Sequence, residues 1–231
     1  MTHRAALGTG LAVVMLAAAG TAGAAPPRVQ IMVVGRTRTL LSARTVTLRA
    51  QRITIGGAGR CSVPSGTALA GLLDARLSLR VTDVAGCDPA SMFVSRIGPN
   101  ANGGQAGWEY KVDRSSPSDG AGDPGGRLRS GEQLLWFWCV SASACQRTLA
   151  VAPAAHIVAP GAPLAVRVVG YDDNGHAIAI AGATVQLGSV TAVTGPGGSV
   201  TVTAPARTGR YRLAAHGPGL VPSFPVQVTV T

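Results

Sequence analysis

The sequence is poor in aromatic residues, in acidic residues and in lysine. Its 231 residues include three Trp, three Tyr and three Phe, and ten acidic residues stand against twenty Lys and Arg. All but one of these basic residues are arginine, and Lys111 is the exception. Because the chain is also rich in alanine and glycine, the arginine excess indicates genome composition as much as selection. The net charge of +10 therefore does not by itself predict a nucleic-acid partner, and no motif for one occurs.

The sequence patterns of common catalytic sites are also missing. There is no G-x-S-x-G, no H-E-x-x-H and no G-x-x-x-x-G-K motif. A glycosidase would need two carboxylates facing each other across a cleft. The clustered acids of the central stretch lie mostly in turn sequences such as S-D-G, G-D-P and S-G-E; they are Glu109, Asp113, Asp119, Asp123 and Glu132. We therefore expect no enzyme and no catalytic residue.

Neither a metal nor a resident cofactor is predicted. Zinc sites use closely spaced Cys or His pairs, whereas the histidine nearest to Cys145 is His156. Residues 172–175 read D-D-N-G, which lacks the alternating oxygen ligands and the later Glu of a calcium-binding loop. This segment instead predicts a hairpin turn between two strands.

The first 24 residues predict a secretory signal peptide. Arg4 supplies the positive start, residues 11–19 form an apolar run, and residues 22–24 offer a small-residue cleavage site. The alternative is an uncleaved anchor, but the strongly apolar part is short for a spanning helix. No second apolar span occurs in the sequence. We expect a protein of the extracellular space or cell envelope, with no membrane span after cleavage.

Four cysteines in a chain with such a signal predict disulfide bonds. They are Cys61, Cys87, Cys139 and Cys145, and four cysteines allow three pairings. The five-residue gap between the last two favours a local bond there, which leaves Cys61 with Cys87.

About 205 residues remain after the signal, more than one small core usually needs, so two domains are expected. The first spans residues 28–150. Leucines recur at helical spacing over residues 66–79, where Ser65 or Thr67 could cap a helix. Strands are expected at 29–34, 45–55, 92–97, 108–112 and in 127–139, with a bulge where the 45–55 pattern shifts phase at Gln51-Arg52. One helix on a mixed sheet is an α+β arrangement, and the order of elements is that of a β-grasp.

The second domain, residues 155–231, is expected to be an all-β immunoglobulin-like sandwich. Pro153, Pro160 and Pro163 mark a linker, and no helical period follows them. Short alternating runs broken by Gly and Pro are typical of such sandwiches; they cover 164–170, 183–187, 199–203, 210–214 and 226–230.

The aromatic residues are concentrated in one stretch, from Gly107 to Cys139. Five of the nine lie there: Trp108, Tyr110, Trp136, Phe137 and Trp138. Strand alternation sends Leu135, Phe137 and Cys139 to one face, and Leu134, Trp136 and Trp138 to the other. If the first face packs on the helix, the two tryptophans form an exposed stacking platform; the alternative is that their face is also covered.

This stretch resembles a known family. G-W-E-Y-K-V-D, then G-A-G-D-P, then L-R-S-G-E-Q-L-L-W-F-W are similar to the transcobalamin-like C-terminal domain family, which includes exported bacterial proteins and the small domain of vitamin B12 carriers. The matching positions are Gly107, Trp108, Tyr110, Gly120, Ala121, Asp123, Gly131 and Glu132, and the resemblance covers residues 28–140. The V-N-G turn of the family is Val112-Asp113-Arg114 here.

The resemblance implies a β-grasp ligand-binding module in which Trp108 and Tyr110 face the ligand. A corrinoid is one implied ligand, although this chain has no helical barrel like the one that completes the site in B12 carriers. The segment after residue 155 resembles bacterial immunoglobulin-like or carboxypeptidase-regulatory-like domains, which serve as spacers or adhesion modules.

We therefore expect an exported, non-enzymatic protein that binds a small molecule or saccharide through Trp108, Tyr110, Trp136 and Trp138. The alternative is a structural or adhesive envelope protein that holds anionic wall polymers on arginines. Seven arginines precede the first acid of the chain, Asp74, after the predicted signal: Arg28, Arg36, Arg38, Arg44, Arg49, Arg52 and Arg60.

Overall fold

The computed structural model describes residues 25–141 and 145–231. The predicted signal segment lies outside the described residues. Within them, no helix has the length and apolar character needed to cross a membrane.

The described chain is rich in β-structure, with eighteen strands and one α-helix. The elements in chain order are β1 (Arg28–Val34), β2 (Thr39–Thr47), β3 (Gln51–Ile55), β4 (Gly59–Val63), α1 (Ala68–Asp74), β5 (Leu79–Asp83), β6 (Met92–Ile97), β7 (Asn100–Ala101), β8 (Gly107–Val112), β9 (Gln133–Cys139), β10 (Thr148–Pro153), β11 (Ile157–Val158), β12 (Pro163–Tyr171), β13 (Ala177–Ala179), β14 (Thr184–Leu187), β15 (Val190–Val193), β16 (Ser199–Thr203), β17 (Gly209–His216) and β18 (Val226–Val230).

A four-stranded sheet organises the N-terminal half. Its order is β2-β1-β9-β8, with β1 and β9 parallel and the other two pairs antiparallel. Helix α1 packs on one face of this sheet in a core that also includes residues of β3–β6. Two small sheets, β3-β4 and β5-β6-β7, complete this half.

The helix is shorter than the leucine pattern predicts. Thr67 is its N-cap, and its hydroxyl accepts a hydrogen bond from the Ala70 amide at 3.2 Å. The helix ends at Asp74, and Arg76 has a φ of +54°, which an α-helix cannot accommodate. Leu77 and Leu79 still pack on the core, but Leu77 lies in the irregular segment after the helix and Leu79 begins strand β5. The leucine spacing therefore predicts which residues are buried, but not where the helix ends.

The expected single strand over 45–55 is two strands in different sheets. β2 ends at Thr47 and pairs with β1, whereas β3 begins at Gln51 and pairs with β4. Between them the buried Leu48 donates its amide to the carbonyl of Pro27. The phase shift at Gln51-Arg52 thus marks a change of sheet, and the predicted bulge is wrong.

Two sheets form a sandwich in the C-terminal half. One has the order β10-β12-β13, with β16 also paired to β12, and the other has the order β11-β18-β17-β14-β15. Buried side chains of both sheets share one core, among them Val166, Val185 and Leu213. The β-rich sandwich expected from the alternating runs is confirmed. Strand β11 lies inside the segment where the prolines predict a linker, whereas Pro153 is the last residue of β10 and Pro163 the first of β12.

Both disulfides favoured by the cysteine spacing are present. Cys61 is bonded to Cys87, which ties β4 to the segment after β5. Cys139 is bonded to Cys145, which closes a short loop after β9.

The N-cap of α1 gives a test of local stability. Thr67 is fully buried, and its hydroxyl also donates to the carbonyl of Pro64 at 3.0 Å. Thr67→Ala leaves both backbone groups without this partner and is expected to lower the free energy of unfolding by about 1–3 kcal/mol. Thr67→Ser keeps the hydroxyl and should recover more than half of the loss. Urea unfolding measures both, with the exposed Thr191→Ala as the control; equal midpoints for Thr67→Ala and Thr191→Ala would contradict the assignment.

Candidate functional site

The hairpin of β8 and β9 brings the four predicted aromatic residues together in two pairs. Trp108 lies opposite Trp138 and Tyr110 lies opposite Trp136 in the antiparallel register. The Trp108 and Trp138 rings meet edge to face with centroids 5.7 Å apart, and the Tyr110 and Trp136 rings stack at 5.2 Å. Both geometries are favourable for aromatic rings, so the pairs stabilise the hairpin as well as shape its surface.

The structure buries all four rings, so of the two alternatives for Trp136 and Trp138 the covered face is observed and the exposed stacking platform is not. Their exposed fractions are 2% and 4%. Alternation along β9 is as expected, but the tryptophan face is the one that packs on the helix side. The opposite face of β9, with Leu135 and Phe137, is covered by Val221 and other residues of the C-terminal half. Access to the aromatic residues is therefore through a cavity beside them.

This cavity has a volume of about 310 Å³ and is lined by three of the four predicted residues, Trp108, Tyr110 and Trp136. We call it the aromatic cavity. The side chain of Phe93 on β6 also lines it and is 55% exposed. Sequence reasoning placed β6 correctly but did not single out Phe93, because only the fold brings β6 next to the β8–β9 hairpin.

The loop around Gly120 forms another wall of the aromatic cavity. A Cβ atom at Gly120 would lie 2.5 Å from the carbonyl oxygen of Ala90, and one at Gly122 would lie 2.5 Å from that of Pro89. Only glycine allows this approach of two backbones. The G-A-G sequence therefore holds the loop against the turn before β6.

Of the three rings that line the cavity, two donate a hydrogen bond to a main-chain carbonyl and one does not. Trp108 donates its indole N–H to the carbonyl of Asn100 at 2.8 Å, and Tyr110 donates its hydroxyl to the carbonyl of Asp119 at 2.7 Å. Trp136 Nε1 is buried and has no hydrogen-bond partner among the described residues. A buried indole N–H normally has an acceptor, so this donor is the unusual feature of the site.

The surroundings of the cavity are acidic, in contrast to the chain as a whole. The pKa of Tyr110 is raised to about 12, first by burial and then by the negative charges of Asp119, Asp123 and Glu109. Each carboxylate makes a second negative charge at the phenol less favourable. The site therefore disfavours anions.

Two other candidate features of the described residues have a structural explanation. Cys61, Asp83 and Cys87 lie close together, but both thiols are used in the disulfide. Asp172 accepts hydrogen bonds from the amides of Asn174 and His176, as expected for a turn, and this turn joins the antiparallel strands β12 and β13. A larger cavity of about 570 Å³ between the two halves contains none of the four predicted aromatic residues.

Comparisons with known proteins give only distant similarity. No protein-family model matches the chain, and no curated protein sequence matches it. Among solved structures, the Yersinia pseudotuberculosis adhesin InvE is similar at a TM-score of 0.30 and 11% identity over 61% of this chain. The chain spans about half of that structure, 53% of its length. The D00-D0 domain of intimin is similar at a TM-score of 0.24 and 11% identity, over 90% of this chain and 93% of that one. Neither similarity assigns a family or a function.

Tyr110 predicts a pH dependence of stability. Below pH about 10 the phenol is neutral in both the folded and unfolded chain, so its contribution is fully present. Between pH about 10 and about 12 the unfolded chain releases the proton and the folded chain retains it, so stability falls as pH rises. Urea unfolding at several pH values in this window should show a steeper decline for the wild type than for Tyr110→Phe. Parallel declines would show that the phenol is not held neutral.

Proposed function

We propose that the protein is an exported, non-enzymatic binding protein that takes a neutral, hydroxyl-bearing small molecule or saccharide in the aromatic cavity. The observation that carries this proposal is the buried, unpartnered N–H of Trp136 in a side chain that lines the cavity. Leaving such a donor unsatisfied costs about 1–3 kcal/mol. A ligand oxygen that accepts from it recovers this free energy on binding.

The shape and charge of the cavity narrow the ligand class. Its volume is at the small end of the range of about 300–1,000 Å³ for ligand pockets, which suits one sugar-sized group. The rings of Trp108 and Tyr110 offer apolar contacts, and the nearby carboxylates favour hydroxyl donors over anions. A corrin is larger than such a group, so a corrinoid would have to place only a part of itself there.

The topology supports the family assignment that the sequence suggests. A β1–β2 hairpin, a helix, and a later strand β9 parallel to β1 next to it are the elements of a β-grasp. We infer a transcobalamin-like module followed by an immunoglobulin-like sandwich. The two disulfides support an oxidising location outside the cytoplasm, in the extracellular space or cell envelope.

A matched pair of variants tests the proposal. Trp136→Phe removes the N–H from the aromatic cavity and keeps an aromatic ring, whereas Trp138→Phe makes the same change at a ring that does not line it. The probes are the N-acetylglucosamine tetramer and cyanocobalamin, followed by calorimetric titration. We expect the tetramer to bind the wild type and Trp138→Phe alike, and Trp136→Phe about fivefold more weakly, because one hydrogen bond is worth about 1 kcal/mol.

Three results decide the ligand class. Binding of cyanocobalamin with the same dependence on Trp136 would make the ligand a corrinoid. Equal weakening by both variants would place binding elsewhere on the fold. Absence of any heat with either probe would count against a ligand role for the aromatic cavity.

A second candidate function rests on the arginines before Asp74. All seven side chains are exposed: Arg28, Arg36, Arg38, Arg44, Arg49, Arg52 and Arg60. Among the ion pairs of the described residues, none includes any of the seven. We call this set the arginine surface. Exposed cations without paired acids attract anionic polymers through a field that salt screens.

The arginine surface predicts salt-sensitive binding to a polyanion. Replacing Arg49, Arg52 and Arg60 together with serine should weaken binding to poly-glutamate at low ionic strength at least severalfold, and raised salt should abolish the difference. Trp136→Phe serves as the control, because it leaves the arginine surface intact. Binding that is insensitive to salt and to the triple substitution would exclude this role.

A further inference from the structure

The larger of the two cavities described above lies between the two halves of the molecule, on the Leu135 face of β9. Its volume of about 570 Å³ is within the range of about 300–1,000 Å³ that ligand pockets occupy. Leu135 lines it from the N-terminal half, and Tyr171 and Phe224 line it from the C-terminal half. All three side chains are less than a tenth exposed. We call it the junction cavity, and a junction of two folded units is a common position for a ligand site.

Strand β10 forms one wall of the junction cavity. Leu149 and Val151 belong to the core of the sandwich, so strand alternation directs Thr148 and Ala150 to the opposite side. Both of these residues line the junction cavity. Thr148 is buried, and Ala150 is half-buried. A larger side chain in place of Ala150 would therefore occupy part of the cavity.

The only lysine of the chain fixes the two sides of the junction to each other. Lys111 lies on β8, and its side chain has no exposed surface. Its ammonium group donates to the carbonyls of Asp172 and Tyr171 at 2.8 and 3.3 Å and forms a salt bridge with Asp173 at 3.2 Å. Breaking such contacts leaves a buried charge unpaired, which is costly. Tyr171 is therefore held against β8 with its ring at the junction cavity.

The turn after β8 is fixed to both halves and carries Arg114. Val112 and Ser115 exchange main-chain hydrogen bonds across the turn, at 3.0 and 3.3 Å. The next residue, Ser116, donates its amide to the Asp173 carbonyl of the C-terminal half at 2.8 Å. Arg114, within this turn, lines the junction cavity.

Arg114 is the only cation among the described residues that line the junction cavity. Its guanidinium carbon lies 5.2 Å from the centroid of the Tyr171 ring. Within the described part of the chain the guanidinium has no ion pair and no hydrogen-bond partner. The neighbouring Asp113 also lines the cavity, but its Oδ1 accepts from the Gln133 amide at 2.9 Å and it forms no ion pair with Arg114. A guanidinium without a partner offers paired N–H donors that match a carboxylate.

We propose that the junction cavity binds a monocarboxylate with an apolar body, of the chemical class of a medium-chain fatty acid. The carboxylate pairs with Arg114, and the apolar body lies against Leu135, Tyr171 and Phe224. The negative charge of Asp113 beside Arg114 disfavours a second negative charge on the ligand, as in a phosphate monoester. This site is independent of the aromatic cavity, which lies on the other face of β9 and disfavours anions.

Octanoate and 1-octanol test the ligand class, because they share an apolar body and differ in the charge of the head group. Calorimetric titration of the full chain at neutral pH should show octanoate binding at least tenfold more tightly than 1-octanol. Octyl phosphate should bind more weakly than octanoate. Equal affinity for octanoate and 1-octanol, absence of binding by both, or tighter binding of octyl phosphate would overturn the proposal.

A matched pair of variants tests Arg114. Arg114→Gln and Arg129→Gln each remove one exposed positive charge, but Arg129 does not line the junction cavity. Arg114→Gln should weaken octanoate binding at least tenfold and leave 1-octanol binding unchanged. Arg129→Gln should bind both probes as the wild type does. Equal octanoate affinities of the two variants would overturn the pairing of the carboxylate with Arg114.

A third variant tests the location. Ala150→Leu fills part of the junction cavity and keeps Arg114, so it should weaken octanoate and 1-octanol together. Wild-type affinity for both probes in this variant would place their binding elsewhere. Arg114→Gln should bind the N-acetylglucosamine tetramer as the wild type does, so that failure of the junction cavity and failure of the aromatic cavity give different results.

Discussion

Burial of both faces of β9 is the constraint on which the structure depends. Leu134, Trp136 and Trp138 point into the core beneath the helix, and Leu135, Phe137 and Cys139 point into the contact with the C-terminal half. A strand buried on both faces has a nearly continuous apolar sequence, which is what L-L-W-F-W-C provides. Its parallel partner β1 and antiparallel partner β8 are then fixed in register around it. The aromatic cavity lies on the Trp136 face of β9, and the junction with the C-terminal half lies on the Phe137 face.

Positive and negative charges lie in different parts of the molecule, and the net charge alone does not show this. The arginine surface is exposed and lacks ion pairs among the described residues, so its field is screened by salt. The single lysine is instead removed from water and placed against Asp173. Around Tyr110, three carboxylates act together with burial to hold the phenol neutral. A chain with a net charge of +10 thus presents an acidic site beside its aromatic rings.

The sequence predicts best the elements that depend on local patterns. Strands Met92–Ile97, Ser199–Thr203 and Val226–Val230 have the predicted bounds, because alternation or apolar runs decide them. The helix end was misplaced because leucines continue past Asp74 in other backbone conformations. For the site, the sequence identified Trp108, Tyr110 and Trp136 but not Phe93, and it left open whether the tryptophan face of β9 is covered. Those features, and the contact of Lys111 with Asp173, depend on elements that are distant in sequence.

The alternation of β8 couples the binding site to the junction between the halves. Trp108 and Tyr110 line the aromatic cavity from one face of this strand, and Lys111 meets the C-terminal half from the other. Any displacement of β8 that opens the cavity must therefore break the contacts of Lys111 with Tyr171 and Asp172. The salt bridge of the buried Lys111 with Asp173 would also have to break, which makes that displacement costly. A cavity held in this way is already formed before a ligand arrives, which lowers the entropy cost of binding.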